Sequence, residues 1–186
     1  MIRAFVAIAL PESVVRSLTA AQAGLPAGRP VAPENSHLTV AFLGEHPEPV
    51  IEDVHLALDK IRAPGFALTL SGTGLFGAKR PRVLYAQVNP EPALGRLRKK
   101  VLQAARGAGL ALPRTRHSPH VTLARFNAGL GGGEAQEMRD FAARRLGFSA
   151  GPFEVAEFRL IRSTLGRNGP VYDELATYPL GGESGA

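Results

Sequence analysis

Apolar positions along this chain repeat with two periods, and their order sketches the fold. Alternating or continuous apolar runs predict strands near 2–9, 37–43, 66–73, 82–88, 120–126, 153–164 and 171–178. Helical spacing fits roughly 11–23, 48–62, 91–108 and 134–146, with Val50, Val54, Leu58 and Ile61 tracing one face of the second helix. The last two strands flank Leu165-Gly166-Arg167-Asn168-Gly169-Pro170, whose Asn-Gly and Pro are turn chemistry, so an antiparallel hairpin is expected there. Hairpins mixed with crossovers predict an α+β fold.

One pattern occurs twice. Ser36-His37-Leu38-Thr39-Val40-Ala41-Phe42 and Pro119-His120-Val121-Thr122-Leu123-Ala124-Arg125 share His, apolar, Thr, apolar, Ala at a separation of 83 residues. Each copy has strand and helix signals of similar kind around it. The expectation is therefore a single bilobal domain over 1–186, made of two pseudo-symmetric lobes of antiparallel-rich sheet with helices outside and an active-site cleft between them. No low-complexity linker separates the lobes, and the break is expected near Asn89 to Pro92. The tail 181–186 is expected to be disordered.

In a strand, residues i and i+2 point to one face, so each motif projects His and Thr to one side and buries aliphatics on the other. Facing each other across a cleft, the two pairs offer four hydrogen-bonding groups around a phosphate-sized anion. Two imidazoles suit hydrolysis of a cyclic phosphate, because one takes a proton from water while the other gives one to the departing ribose oxygen. Each role is worth ~10²–10⁴-fold in rate, and the hydroxyls of Thr39 and Thr122 suit the nonbridging oxygens. A lone strand histidine is usually packed or at the surface; two copies in matching contexts carry the catalytic reading.

Charge and composition add a partner class and exclude others. The 22 Lys+Arg against 16 Asp+Glu give a net +6, and only four of the basic residues are Lys. Arginine forks phosphate oxygens well, which fits RNA, although arginine richness also arises from coding bias. Zero cysteines exclude disulfides and thiolate metal sites. The N-terminal run Ile2 to Leu10 is closed by Pro11-Glu12 and reads as a buried strand rather than a signal peptide, and no stretch nears the ~20 apolar residues of a membrane span. A soluble cytoplasmic protein is expected, a monomer on the simplest view, with no membrane partner.

The motifs His37-Leu38-Thr39-Val40 and His120-Val121-Thr122-Leu123 resemble those of the 2H phosphoesterase superfamily, specifically the bacterial and archaeal RNA 2′,3′-cyclic phosphodiesterases, also called 2′-5′ RNA ligases. Arg3 to Ile8, Val31 to Asn35, Phe42-Leu43-Gly44, Arg80 to Leu84, and the strand Phe158 to Leu165 with its Gly-rich turn and Tyr172 are similar to the family as well. The likeness covers nearly the whole chain. It implies metal-independent conversion of a 2′,3′-cyclic phosphate RNA end, tRNA fragments being one source, to a 2′-phosphomonoester, with no cofactor. It further implies His37 as proton donor, His120 as proton acceptor, Thr39 and Thr122 on the phosphate, and Arg125 as a matching family arginine. Val31, Ser36 and Ala41 depart from the usual pattern, where an aromatic residue, Leu and a basic residue are frequent.

Other residues suit either a role at the site or a blander one. Strict alternation turns Arg125 away from His120 and Thr122, so as a ligand it needs help from strand twist. Phe5 and Phe126 are candidates for stacking a nucleobase, with core packing as the alternative. Arg80 to Arg82 is a candidate guide for RNA backbone or a solvated loop. His117 and His120 form a His-x-x-His pair, but Pro119 argues against the helix a zinc site needs there, and no metal is expected. His46 and His55 read as surface or packing residues. Gly72-Thr73-Gly74-Leu75-Phe76-Gly77 matches a dinucleotide fingerprint yet leads into a strand, so its glycines suit a bulge or hairpin, and Gly131-Gly132-Gly133 reads as a flexible connection. Two other functions remain open: 2′-5′ RNA ligation as the biological direction, and a non-catalytic RNA-binding module.

Overall fold

The computed structural model describes residues 1–77, 79–113, 118–126, 129–167 and 169–181. The nine strands of these residues are β1 (Ile2–Ala9), β2 (Arg29–Pro30), β3 (His37–His46), β4 (Phe66–Phe76), β5 (Val83–Val88), β6 (His120–Arg125), β7 (Ser149–Val155), β8 (Glu157–Gly166) and β9 (Gly169–Pro179). The four α-helices are α1 (Glu12–Ala21), α2 (Glu48–Leu58), α3 (Pro92–Gly107) and α4 (Gly132–Ala143). The strands form one antiparallel sheet in the order β7-β4-β5-β6-β3-β1-β8-β9, with β2 beside β6. The α+β architecture matches the sequence expectation.

The sheet has two halves, β3-β1-β8-β9 and β6-β5-β4-β7, and the pairing between β3 and β6 rests on Leu38 opposite Val121. Sequence order does not divide them where expected. The strands on either side of Asn89 to Pro92, β5 and β6, are neighbours in one half-sheet, whereas the strand order leaves the first half after β3 and re-enters it between β7 and β8. The run 153–164, expected as one strand, is two: β7 and β8 lie in opposite halves on either side of Ala156. The alternation changes phase there, since Phe153 and Val155 are buried and then Phe158 and Leu160.

Helices lock the halves together. α1 follows β1 yet packs on β6 and β7, while α3 follows β5 yet packs on β3 and α2. The apolar stripes Val14, Leu18 and Ala21 of α1 and Leu94, Leu97, Val101 and Ala105 of α3 are buried in this way. A single core cluster runs through both halves, from Ile8 and Leu18 to Leu123 and Phe141. The hairpin of β8 and β9 closes at Gly166 opposite Gly169, as the turn residues predict. The glycine-rich stretch 72–77 carries a bulge, with the β4–β5 register shifting between Leu70 and Thr73, and belongs to no helix.

Candidate active site

Both His-x-Thr strands carry the same irregularity. On β3, Val6 faces Ala41 while Ala7 faces Thr39, so Val40 is an extra residue; on β6, Leu84 faces Ala124 while Tyr85 faces Thr122, so Leu123 is extra. Each bulge sends two successive side chains to the core, Val40 with Ala41 and Leu123 with Ala124, all buried. The next residue therefore returns to the cleft. Phe42 and Arg125 are exposed and line the cavity. A bulge, rather than strand twist, restores Arg125 to the face of His120 and Thr122.

The cavity between the halves has a volume of about 340 Å³, within the size range of small-molecule sites. His37, Thr39, His120, Thr122 and Arg125 all line it, as do Arg29, Asn35, Phe42, Pro170 and Tyr172. Continuing the register of Leu38 opposite Val121 sets His37 across from Thr122 and Thr39 across from His120. The two histidines then stand on a cross-strand diagonal, for which a spacing of ~7–8 Å is typical. Both imidazole rings line the same cavity.

Each imidazole is held by its own strand lead-in. His37 Nδ1 lies 2.7 Å from Asn35 O, and His120 Nδ1 lies 2.8 Å from Ser118 O. A carbonyl only accepts, so Nδ1 carries the hydrogen and Nε2 is free for proton exchange in the neutral ring. Aromatic rings wall each imidazole: Phe5 and Tyr172 at 4.9 and 5.2 Å from His37, Phe76 and Tyr85 at 4.8 and 5.5 Å from His120. Burial pushes both pKa values below the ordinary 6.5, opposed by the backbone carbonyls and reinforced by the charge of Arg125. For His37 the charge of His120 adds to the effect.

The structure corrects the aromatic assignments. Phe5 is only 3% exposed beneath His37, Phe42 and Tyr172, and Phe126 is 4% exposed in the core, so neither offers a ring face to a base. The exposed ring on the cavity is Phe42, at 65%. Aligning the two repeats identifies it, because it occupies the place of Arg125. Arg29 had no comparable signal, lying in a two-residue strand next to Pro30. Arg80 and Arg82 are exposed outside the cavity lining. His55 packs on the Tyr178 hydroxyl at 2.9 Å, and His46 Nε2 lies 2.8 Å from Leu43 O. His117 lies outside the described residues. Among the described residues, no three His, Asp or Glu side chains gather as a metal site, and no helix is long and apolar enough to cross a membrane.

Two antiparallel half-sheets that meet at paired His-x-Thr strands, with both imidazoles on one cleft, define the 2H phosphoesterase class. Residues 8–85 and 87–172 match the model of the family described as LigT like Phosphoesterase. The chain belongs to that family. It is 36% identical over 201 aligned positions to an RNA 2′,3′-cyclic phosphodiesterase of Thermus thermophilus, covering 98% of this chain and 92% of that protein. It is 31% identical over 183 positions to one of Geobacillus stearothermophilus, covering 95% of this chain but only 56% of that longer protein. The crystal structure of Escherichia coli LigT complexed with 3′-AMP superposes with a TM-score of 0.76 at 30% identity, covering 96% of this chain and 98% of that one.

Proposed function

We propose that this protein hydrolyses 2′,3′-cyclic phosphate ends of RNA to 2′-phosphomonoesters, using His37 as the acid and His120 as the base without a metal. The observation that carries the reading is the pair of Nδ1-anchored imidazoles with free Nε2 atoms on one cavity. Family members curated as RNA 2′,3′-cyclic phosphodiesterases support the substrate class, and the relative seen with 3′-AMP supports a nucleotide in the cleft.

Water attacks phosphorus as neutral His120 Nε2 accepts its proton. The bond from phosphorus to O3′ breaks, and O3′ takes a proton from Nε2 of protonated His37. The products are a 2′-phosphomonoester and a 3′-hydroxyl, and one proton exchange through solvent resets the pair. Thr39 and Thr122 donate to the nonbridging oxygens, and Arg125 balances the charge that develops on them. Burial opposes the imidazolium that the acid requires, so the bound phosphate must supply the compensating negative charge. Protonation of the acid is thereby coupled to substrate binding.

The test separates acid from base. With EDTA present, His37→Ala and His120→Ala are each expected to lower kcat on a cyclic-phosphate RNA end by ~10² or more. A substrate with sulfur in place of O3′ has a leaving group that needs no proton, so it should restore His37→Ala and not His120→Ala. Rescue of the opposite variant would reverse the roles, and turnover indifferent to both histidines would defeat the mechanism.

A further inference from the structure

We propose that Arg29, together with an Arg125 shared with the terminal phosphate, provides a second anion subsite at the wide end of the cleft, which holds the phosphodiester on the 5′ side of the terminal nucleotide. The inference rests on the reading above and deepens it: the favoured substrate is an oligoribonucleotide end rather than a lone cyclic nucleotide.

β3 and β6 diverge after Leu38 and Val121, and β2 takes over the edge of β6 that β3 leaves, placing Arg29 directly opposite Arg125. Like charges facing each other across a ladder destabilise it. Among the described residues neither arginine has a carboxylate partner, and no acidic residue lines the cavity they share. An anion between the two guanidinium groups converts this repulsion into attraction.

The short strand is held there by several independent contacts. Gln22 Nε2 donates to Val31 O at 2.8 Å and to Leu123 O at 2.9 Å, and Val31 N–H donates to Leu123 O at 2.8 Å. Gly28 has a φ of +86°, and a Cβ there would stand 2.2 Å from Phe126 Cδ1. These contacts fix Arg29 against β6, although its side chain is exposed and contributes no core.

The terminal phosphate is already served by the His and Thr pairs and by Arg125, and Arg29 stands beside Arg125 on the neighbouring strand. Four ladder positions, roughly 13 Å along β6, separate the His120 backbone from the level of Arg29. In keeping with this, the charge of Arg125 bears on both imidazoles and that of Arg29 on neither. The next backbone phosphate is the anion this position suits.

The experiment compares adenosine 2′,3′-cyclic phosphate with a short oligoadenylate bearing the same end, for wild type, Arg29→Ala, Arg29→Lys and Arg96→Ala, across a salt series. Binding of the oligonucleotide is followed in parallel by fluorescence anisotropy. For Arg29→Ala, kcat/KM on the oligonucleotide should fall about tenfold, mostly in KM, with less than about twofold loss on the mononucleotide, and the salt slope of binding should drop by about 0.7. Arg29→Lys should keep the wild-type slope. Arg96→Ala, which removes a charge on α3, should change neither. Equal losses on both substrates, or an unchanged salt slope, would overturn the subsite. If wild type turns over neither substrate, hydrolysis fails as a reading, and the slope of Arg29→Ala in the binding measurement still decides the subsite.

Discussion

Binding of a divalent anion to the cleft should draw about one proton into the protein near neutral pH. His37 and His120 both lie below the ordinary pKa of 6.5 because burial strips water from the imidazolium, so at pH 7 both rings are neutral in the free protein. Sulfate is a useful probe because its own charge is constant across this range. A unit charge ~4 Å from an imidazole at an effective dielectric of ~20 contributes ~4 kcal/mol, about three pKa units in favour of the protonated ring and opposed to the effect of burial. The second ring meets opposition from the first: two imidazolium charges ~7–8 Å apart repel by ~2 kcal/mol, about 1.5 units. One proton is therefore expected rather than two. Calorimetric titration with sulfate in buffers of different ionisation enthalpy measures the number directly. Uptake of about one proton is expected for wild type and for each single His→Ala variant, and none for the double variant. Zero uptake by wild type, or uptake that survives loss of both histidines, would refute the placement of the two Nε2 atoms on the anion.

Three further outcomes follow from the same contacts. Gly28→Ala forces a Cβ against the Phe126 ring and the Arg125 carbonyl at a positive φ, and should lower stability by about 2–4 kcal/mol in urea unfolding. Gln22→Leu removes the amide that bridges Val31 O and Leu123 O; Leu123 O keeps its bond from Val31 N while Val31 O is left unpaired, so a loss of about 1–2 kcal/mol is expected in the same assay. Stability should also depend on pH through the two histidines. Their folded pKa values lie below the unfolded 6.5, so the unfolded chain binds more protons, and stability is full above 6.5 and falls as pH drops through 6.5 toward the folded values. Urea midpoints at pH 7.5, 6.5 and 5.5 should fall less in the His37→Ala, His120→Ala double variant than in wild type.

What the sequence made legible was what depends on local period. The four helices and the terminal hairpin follow from apolar spacing and turn chemistry, and the duplicated motif brings His37, Thr39, His120 and Thr122 to one cavity. What it hid depends on register and topology. A bulge adds one residue without changing composition, so Arg125 reads as out of phase until its partner strand is seen. The division of the halves was equally hidden, because pairing of β8 with β1 rather than with β7 is decided by contacts between residues far apart in the chain. Phe5 and Phe126 show a further limit: an aromatic residue beside a motif does not reveal whether its ring lies above or below the sheet surface.

The same repeat that builds the site also breaks its symmetry. Two identical His-Thr pairs about a twofold axis would accept a phosphate in two equivalent orientations, and neither histidine would be committed to one role. Identical bulges deliver different residues to the cleft, Arg125 on one wall and Phe42 on the other, so a nucleotide meets a cationic side continued by Arg29 and an aromatic side continued by Tyr172. A phosphodiester chain and an apolar ring face prefer opposite walls on electrostatic grounds alone. In the proposed reaction the ribose then takes one orientation between His37 and His120, and the leaving oxygen meets the same imidazole in every turnover. On this view the assignment of acid and base is written in the residue that follows each bulge, rather than in the histidines themselves.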